Sequence, residues 1–129
     1  MGLKKCACID TLYTELPWKE RFWAAKEDGF AAVEFWDWRN RNLEETREAA
    51  ERAGILISGF NGDADYSLVD PKHRGKYLEE LKKSIEAAKK TGALSLTIHS
   101  NALGEGGVVV DHYEELSDTV KLCCMYDGL

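Results

Sequence analysis

The chain has 129 residues, enough for one domain with a real core and too few for two ordinary ones. Its 44% hydrophobic and 31% charged residues are a globular composition, and no segment approaches the roughly 20 uninterrupted apolar residues of a membrane span. A net charge of −6, with no basic cluster denser than paired lysines, argues against a nucleic-acid partner held through phosphate contacts and favours small-molecule chemistry or protein contacts.

The opening "MGLKKCACID" has no apolar run of signal-peptide length, so a cytoplasmic location is expected. A first strand is predicted over about 4–9. It contains Cys6 and Cys8, while Cys123 and Cys124 fall in a late helical run. Neither pair has the spacing of a zinc knuckle, and adjacent cysteines would make a strained disulfide, so reduced core thiols are expected. Pro17 suits the first turn of a helix over about 17–28, which Gly29 stops before a strand over about 31–36. Asn42, with Glu45 three residues on, caps a helix over 43–53; Gly54 ends it and an apolar strand over 55–60 follows. Asp70 and Pro71 open a long helix over 71–91, Gly92 ends it, and a fourth strand runs over 94–99. Asp111 and Glu114 mark the start of a last helix over 112–127.

Strict βα alternation implies an α/β fold with a parallel sheet and helices packed outside it. Four such units in a single domain over 1–129 read as half of a TIM (β/α)8 barrel, which takes eight units and about 250 residues; the pattern stops where a fifth strand would begin. An open flavodoxin-like sheet is the competing arrangement, since strand order cannot be read from the sequence. In either, the loops leaving the C-terminal strand ends form one rim: Asp10 to Glu15, Glu34 to Arg41, Asn61 to Asp70 and His99 to Val110. The last loop lacks the GxGxxG spacing and no GxxxxGK[ST] occurs, so nucleotide binding is not indicated.

The run "YTELPWKERFWAAKEDGFAAVEFWDW" resembles the opening of the hydroxypyruvate isomerase group among the xylose-isomerase-like TIM barrels, which share an E-x-P-x-x-x-R-F-x-x-A-x-x-x-G-F-x-x-V-E-F phrase. Glu15, Pro17, Arg21, Phe22, Ala25, Gly29, Phe30, Val33, Glu34 and Phe35 stand at the matching positions, and the likeness continues from "ISGFNGDADYS" to "TIHSN". The resemblance implies isomerisation or epimerisation of a small hydroxy-carbonyl compound, hydroxypyruvate or a ketose, with a divalent metal (Mg, Mn or Zn) and carboxylates moving a proton next to a carbonyl. In that family the metal ligands and paired glutamate bases come mainly from strands five to eight, so no catalytic base and no metal ligand carries over to a position here. The polypeptide alone is therefore expected to be inactive. What carries over is the first-half rim: Glu34 at the end of strand two, Asn61 ending strand three and His99 ending strand four, as substrate-binding residues, with Trp36 beside them. In the related type IV AP endonucleases the last two positions carry zinc-binding histidines; Asn61 breaks that pattern, which disfavours a zinc nuclease.

Each of these residues also has a plainer reading. Glu34 is as well explained by a structural carboxylate satisfied by a neighbouring strand's backbone or by an arginine such as Arg39 or Arg41, and His99 by a hydrogen-bonded place on the rim. Core packing is expected for Trp36 and partial exposure for Trp38. Asp63 and Asp65 read equally as cation-attracting carboxylates or as a solvated turn, and His73 and Arg74 as surface residues. Four parallel strands leave two unpaired edges and an inner face expected to be apolar. Covering them calls for a homo-oligomer or for the missing C-terminal half. A non-catalytic, self-associating half barrel is the alternative to an enzyme.

Overall fold

The structure is a computed structural model and describes residues 2–67 and 72–99. The expected helix over 112–127, its Asp111 cap, the Asp70 cap, Cys123, Cys124 and the loop beyond His99 lie outside the described residues. Strand β1 (Cys6–Cys8) leads to helix α1 (Trp18–Glu27), β2 (Ala32–Glu34), α2 (Leu43–Ala53), β3 (Leu56–Asn61), α3 (Arg74–Thr91) and β4 (Ser95–Thr97). β3 has the expected length, while β1, β2 and β4 are regular only over their central three residues. Single ladder bonds carry the pairing further, from Ala31 N–H to Lys5 C=O, Ile9 N–H to Glu34 C=O, and Leu94 N–H to Ile57 C=O.

Local chemistry sets the helix ends. The Asn42 side chain accepts from the N–H groups of Glu44 and Glu45 at 3.1 and 3.2 Å, satisfying two donors that α2 leaves open. Gly54 and Gly92 close α2 and α3 in the left-handed conformation, with φ of 64° and 76°, which residues with a Cβ avoid.

All four strands are parallel and their order is β1-β2-β3-β4. An unbroken order rules out the flavodoxin-like alternative, whose second strand lies outside the first. It also means that each right-handed crossover steps the same way, so α1, α2 and α3 share one face of the sheet. The core lies between that face and the helices: Val33, Phe35, Ile57 and Phe60 pack with Phe22 of α1, Ala49, Ala50 and Ala53 of α2 and Ala87 of α3. Trp18 meets Phe22 and Phe35 edge-on, and Phe35 stacks on Phe60 at 5.0 Å.

The opposite face is open. It was expected to be apolar, but it carries Cys6, Cys8, Glu34, Ser58, Asn61, Ser95, Thr97 and His99 along the strands. The physical reason lies in the register. Ala32 pairs with Leu56 and Val33 with Ile57, but Glu34 pairs with Gly59, so Ser58 is an extra residue in β3. Simple alternation from Ile57 would send Phe60 to the open face and Asn61 to the core; the bulge reverses both. Gly59 is required where β3 passes β4, since a Cβ there would lie 2.5 Å from the Ser95 carbonyl oxygen. Among the described residues, no helix is long and apolar enough to cross a membrane.

Gly59→Ala is accordingly expected to lower unfolding free energy by about 1–3 kcal/mol, because the clash is with backbone that cannot step aside. Gly75→Ala, on a helical position with nothing within 4 Å of the added carbon, should be neutral or stabilise by about 0.5–1 kcal/mol. Chemical-denaturation midpoints of the two variants test this; equal midpoints would contradict the close β3–β4 approach.

Candidate functional site

The C-terminal strand ends surround a cavity of about 480 Å³ lined by Glu34, Phe35, Trp36, Ser58, Gly59, Phe60, Asn61, Ser95, Thr97 and His99. The structure thus brings together all four residues expected from the sequence to bind a substrate, Glu34, Trp36, Asn61 and His99. Glu34 is exposed at the end of β2, on the face opposite the buried Val33 and Phe35. Among the described residues it has no ion-pair partner. Arg39 is spent on Asp37 and Glu80, and Arg41 on Asp10, so neither arginine neutralises Glu34.

Trp36 shares that side of the strand and is 55% exposed, which reverses the expectation of core packing. Trp38 is the better buried of the two tryptophans. Its indole N–H donates to Ser84 Oγ at 2.9 Å, and Ser84 donates on to the Gly62 carbonyl at 2.7 Å. The difference follows from alternation: Val33 and Phe35 take the core side, leaving Trp36 the cavity side, and the chain has turned over the helices by Trp38.

The rim is braced by residues that the sequence did not mark as doing so. Asp10, directly after β1, accepts from the Trp36 N–H and from Arg41, both at 2.7 Å. Arg41 lies over the Trp18 ring at 3.9 Å, which ties this strut to the aromatic core. Arg21 donates to the carbonyls of Leu16, Ile9 and Thr14, fixing the β1–α1 loop from within. An aspartate ending an apolar strand was the available signal for Asp10. No sequence signal points to Ser58, whose hydroxyl donates to the Val33 carbonyl while Ser95 donates to Ser58's own carbonyl at 2.7 Å.

The two aspartates of "NGDADYS" separate. Asp65 is exposed, as a solvated turn would have it, whereas Asp63 is buried and hydrogen-bonded to His99 and Tyr77. His73 is half-buried away from the cavity, and its Nδ1 accepts from the Ser67 N–H. Cys6 is exposed on the open face rather than in the core, with its sulfur 3.1 Å from Ser58 Oγ. Partial burial, and then the nearby charge of Glu34 and the Cys8 thiol, push the Cys6 thiol up against the opposing pull of the Ser58 hydrogen bond.

A divalent metal was expected from the resemblance. Among the described residues no three His, Cys, Asp or Glu side chains converge, and the carboxylate nearest His99 already takes three hydrogen bonds. These residues do not build a metal site by themselves. They offer one free carboxylate, one amide, one imidazole and an aromatic wall, a set suited to binding hydroxyl and carbonyl groups.

The family model that matches the chain, over residues 22–126, is described as xylose isomerase-like TIM barrel. No curated protein matches the chain. Among solved structures, the chain is similar to an AP endonuclease of family 2 from Brucella melitensis, at TM-score 0.77 and 17% identity over 94% of this chain and 50% of that one. It is similar to a 3-keto-D-glucoside 4-epimerase from E. coli, at TM-score 0.71 and 20% identity over 93% of this chain and 50% of that one. A sugar phosphate isomerase/epimerase from Parabacteroides distasonis gives TM-score 0.65 and 15% identity over 95% and 49%. The chain spans about half the length of these proteins, and at such identities the likeness establishes the fold.

Because a raised thiol has less thiolate at a given pH, Cys6 is expected to react with iodoacetamide more slowly near pH 8 than a free thiol, and its reactivity midpoint should lie above the ordinary thiol range. Glu34→Gln removes a nearby negative charge and should bring that midpoint down. Peptide mapping of alkylated Cys6 across pH checks both, and a midpoint indifferent to Glu34 would place the carboxylate out of reach of the thiol.

Proposed function

We infer that this chain, which belongs to the xylose isomerase-like TIM barrel family, supplies the substrate-binding half of a site that isomerises or epimerises a small hydroxy-carbonyl compound, hydroxypyruvate or a ketose. The observation that carries this reading is the convergence of an unpaired carboxylate, an amide and an imidazole on one cavity at the C-terminal strand ends. Asn61 donates from its amide to the carbonyl oxygen of the substrate, and Glu34 accepts from a hydroxyl. The Asn61 contact strengthens as the carbonyl oxygen gains charge in an enediolate-like transition state, which is where binding raises rate, while Glu34 fixes the orientation of the hydroxyl. Trp36 covers the carbon skeleton and keeps water from it. His99 exchanges a hydroxyl proton. The group that removes the carbon-bound proton is not among the described residues, and neither is a set of ligands for the divalent metal that the resemblance implies.

Turnover of hydroxypyruvate and of ketoses, assayed with Mg, Mn or Zn added, tests the proposal. Where turnover is measurable, Glu34→Gln and His99→Gln are each expected to lower kcat/KM by about 10²-fold or more. Absence of both turnover and metal uptake would overturn the enzymatic reading for this polypeptide.

A second reading rests on the edges. Among the described residues β1 and β4 each pair on one side only, and Leu56 and Leu94 are 56% and 69% exposed. Such edges invite further strands, and two copies related by a two-fold axis would join β4 of each to β1 of the other in an eight-stranded closure. Light scattering of the purified chain is expected to give twice the mass computed from the sequence, and a stable monomer would contradict self-pairing.

A further inference from the structure

The carboxylate of Asp63 is engaged at three points. It lies in the loop after β3, with a side chain 7% exposed. Oδ2 accepts the His99 backbone N–H at 2.8 Å and the hydroxyl of Tyr77, a buried residue of α3, at 3.2 Å. Oδ1 lies 2.8 Å from His99 Nδ1. An ionised carboxylate has acceptors only, so the hydrogen in that last bond belongs to Nδ1. In a neutral imidazole this leaves Nε2 without a hydrogen and with its lone pair available. His99 itself lines the cavity, with 56% of its side chain exposed.

We propose that Asp63, braced by Tyr77, is a positioning residue that holds His99 in the Nδ1–H tautomer and so presents Nε2 as the proton acceptor for a hydroxyl group in the cavity. The role toward a substrate rests on the hydroxy-carbonyl reading above; the tautomer does not. Two bonds to one residue, one from the main chain and one from the ring, fix both the end of β4 and the orientation of the imidazole. In the reaction, the substrate O–H bond breaks, an Nε2–H bond forms, and the electron pair stays on oxygen. The imidazolium is then stabilised by the adjacent carboxylate, and Nε2 returns the proton to the neighbouring oxygen, with no net redox change. A Tyr77 hydroxyl directed at Asp63 keeps the carboxylate aligned without competing for the ring.

His73 provides an internal contrast. Its Nδ1 accepts from the Ser67 N–H at 3.3 Å, so its neutral form carries the hydrogen on Nε2.

The test is long-range 1H–15N correlation of the histidine rings in the full 15N-labelled chain at about pH 8.5, where an ordinary imidazole is neutral. His99 is expected with Nδ1 protonated and Nε2 bare, and His73 the other way round. In Asp63→Asn the amide NH2 donates to Nδ1, so the His99 tautomer should reverse. Tyr77→Phe removes one donor from the carboxylate and should leave it unchanged, which gives a variant that reads the tautomer even if Asp63→Asn unfolds. Finding His99 with its hydrogen on Nε2 in the unsubstituted chain, or unchanged by Asp63→Asn, overturns the proposal. Where turnover is measurable, Asp63→Asn should lower kcat by about 10²-fold with KM within about threefold; an equal loss carried by KM alone would assign Asp63 to binding and overturn the positioning role. An Nδ1–H tautomer in a chain that turns over no hydroxypyruvate or ketose upholds the role of Asp63 and overturns only the substrate reading.

Discussion

One extra residue in β3 decides what the open face of the sheet can do. Ser58 sits between two paired registers, and from that point onward every side chain of β3 changes face. Phe60 goes to the helices, where it stacks on Phe35, and Asn61 goes to the cavity beside Glu34. Without the bulge the site would present a phenylalanine and the core would have to take an amide with no partner. That exchange is costly on both sides, since a buried amide lacking a hydrogen bond loses about 1–3 kcal/mol and the phenylalanine's burial is lost as well. The bulge is itself held in place. The Ser58 hydroxyl donates to the Val33 carbonyl, Ser95 donates to the Ser58 carbonyl, and Gly59 allows β4 to come within reach.

Around this register, paired charges brace the rim and cations are kept away from the cavity. Asp10 holds Trp36 and Arg41, Glu80 holds Arg39 and the backbone of Ala64, and Asp63 holds His99. Each carboxylate is matched to fixed donors and each arginine is occupied. Glu34 is left as the carboxylate of the cavity without a cation beside it among the described residues, which is the state a substrate hydroxyl or an incoming positive group can use. The arrangement also explains why two arginines close in sequence to Glu34 do not pair with it: Arg39 is drawn to Asp37 and to Glu80 of α3, and Arg41 to Asp10 of the loop after β1.

The helix ends and the strand alternation were readable from the sequence because they are local. Asn42, Gly54 and Gly92 act within a few residues of where they stand, and the Val33-Glu34-Phe35 pattern needs only its own neighbours to assign faces. Strand order was not readable, since it depends on which strands meet in space. Nor was the bulge, since "LISGFN" gives no hint of which residue is extra until β2 is laid beside it. Asp63 read equally as a cation-attracting carboxylate or a solvated turn, and its buried place was not legible for the same reason. Its partners, Tyr77 and His99, lie 14 and 36 residues away, and only the packing of α3 against the end of β4 makes them neighbours. Trp36 was expected in the core because a tryptophan following an apolar strand favours burial, while alternation permits only one side of β2 to be core; Trp38 is partly exposed, as expected.

The central claim is that Glu34, Trp36, Asn61 and His99 act together on one small ligand. Backbone and indole 1H–15N spectra of the full chain, titrated with hydroxypyruvate, test it most directly. Saturable shifts are expected to concentrate on those four residues, with the Trp36 indole among the largest. Shifts confined to the outer groove beside Trp38, Tyr66 and Lys83, or no saturable shift in any of the four, would contradict it.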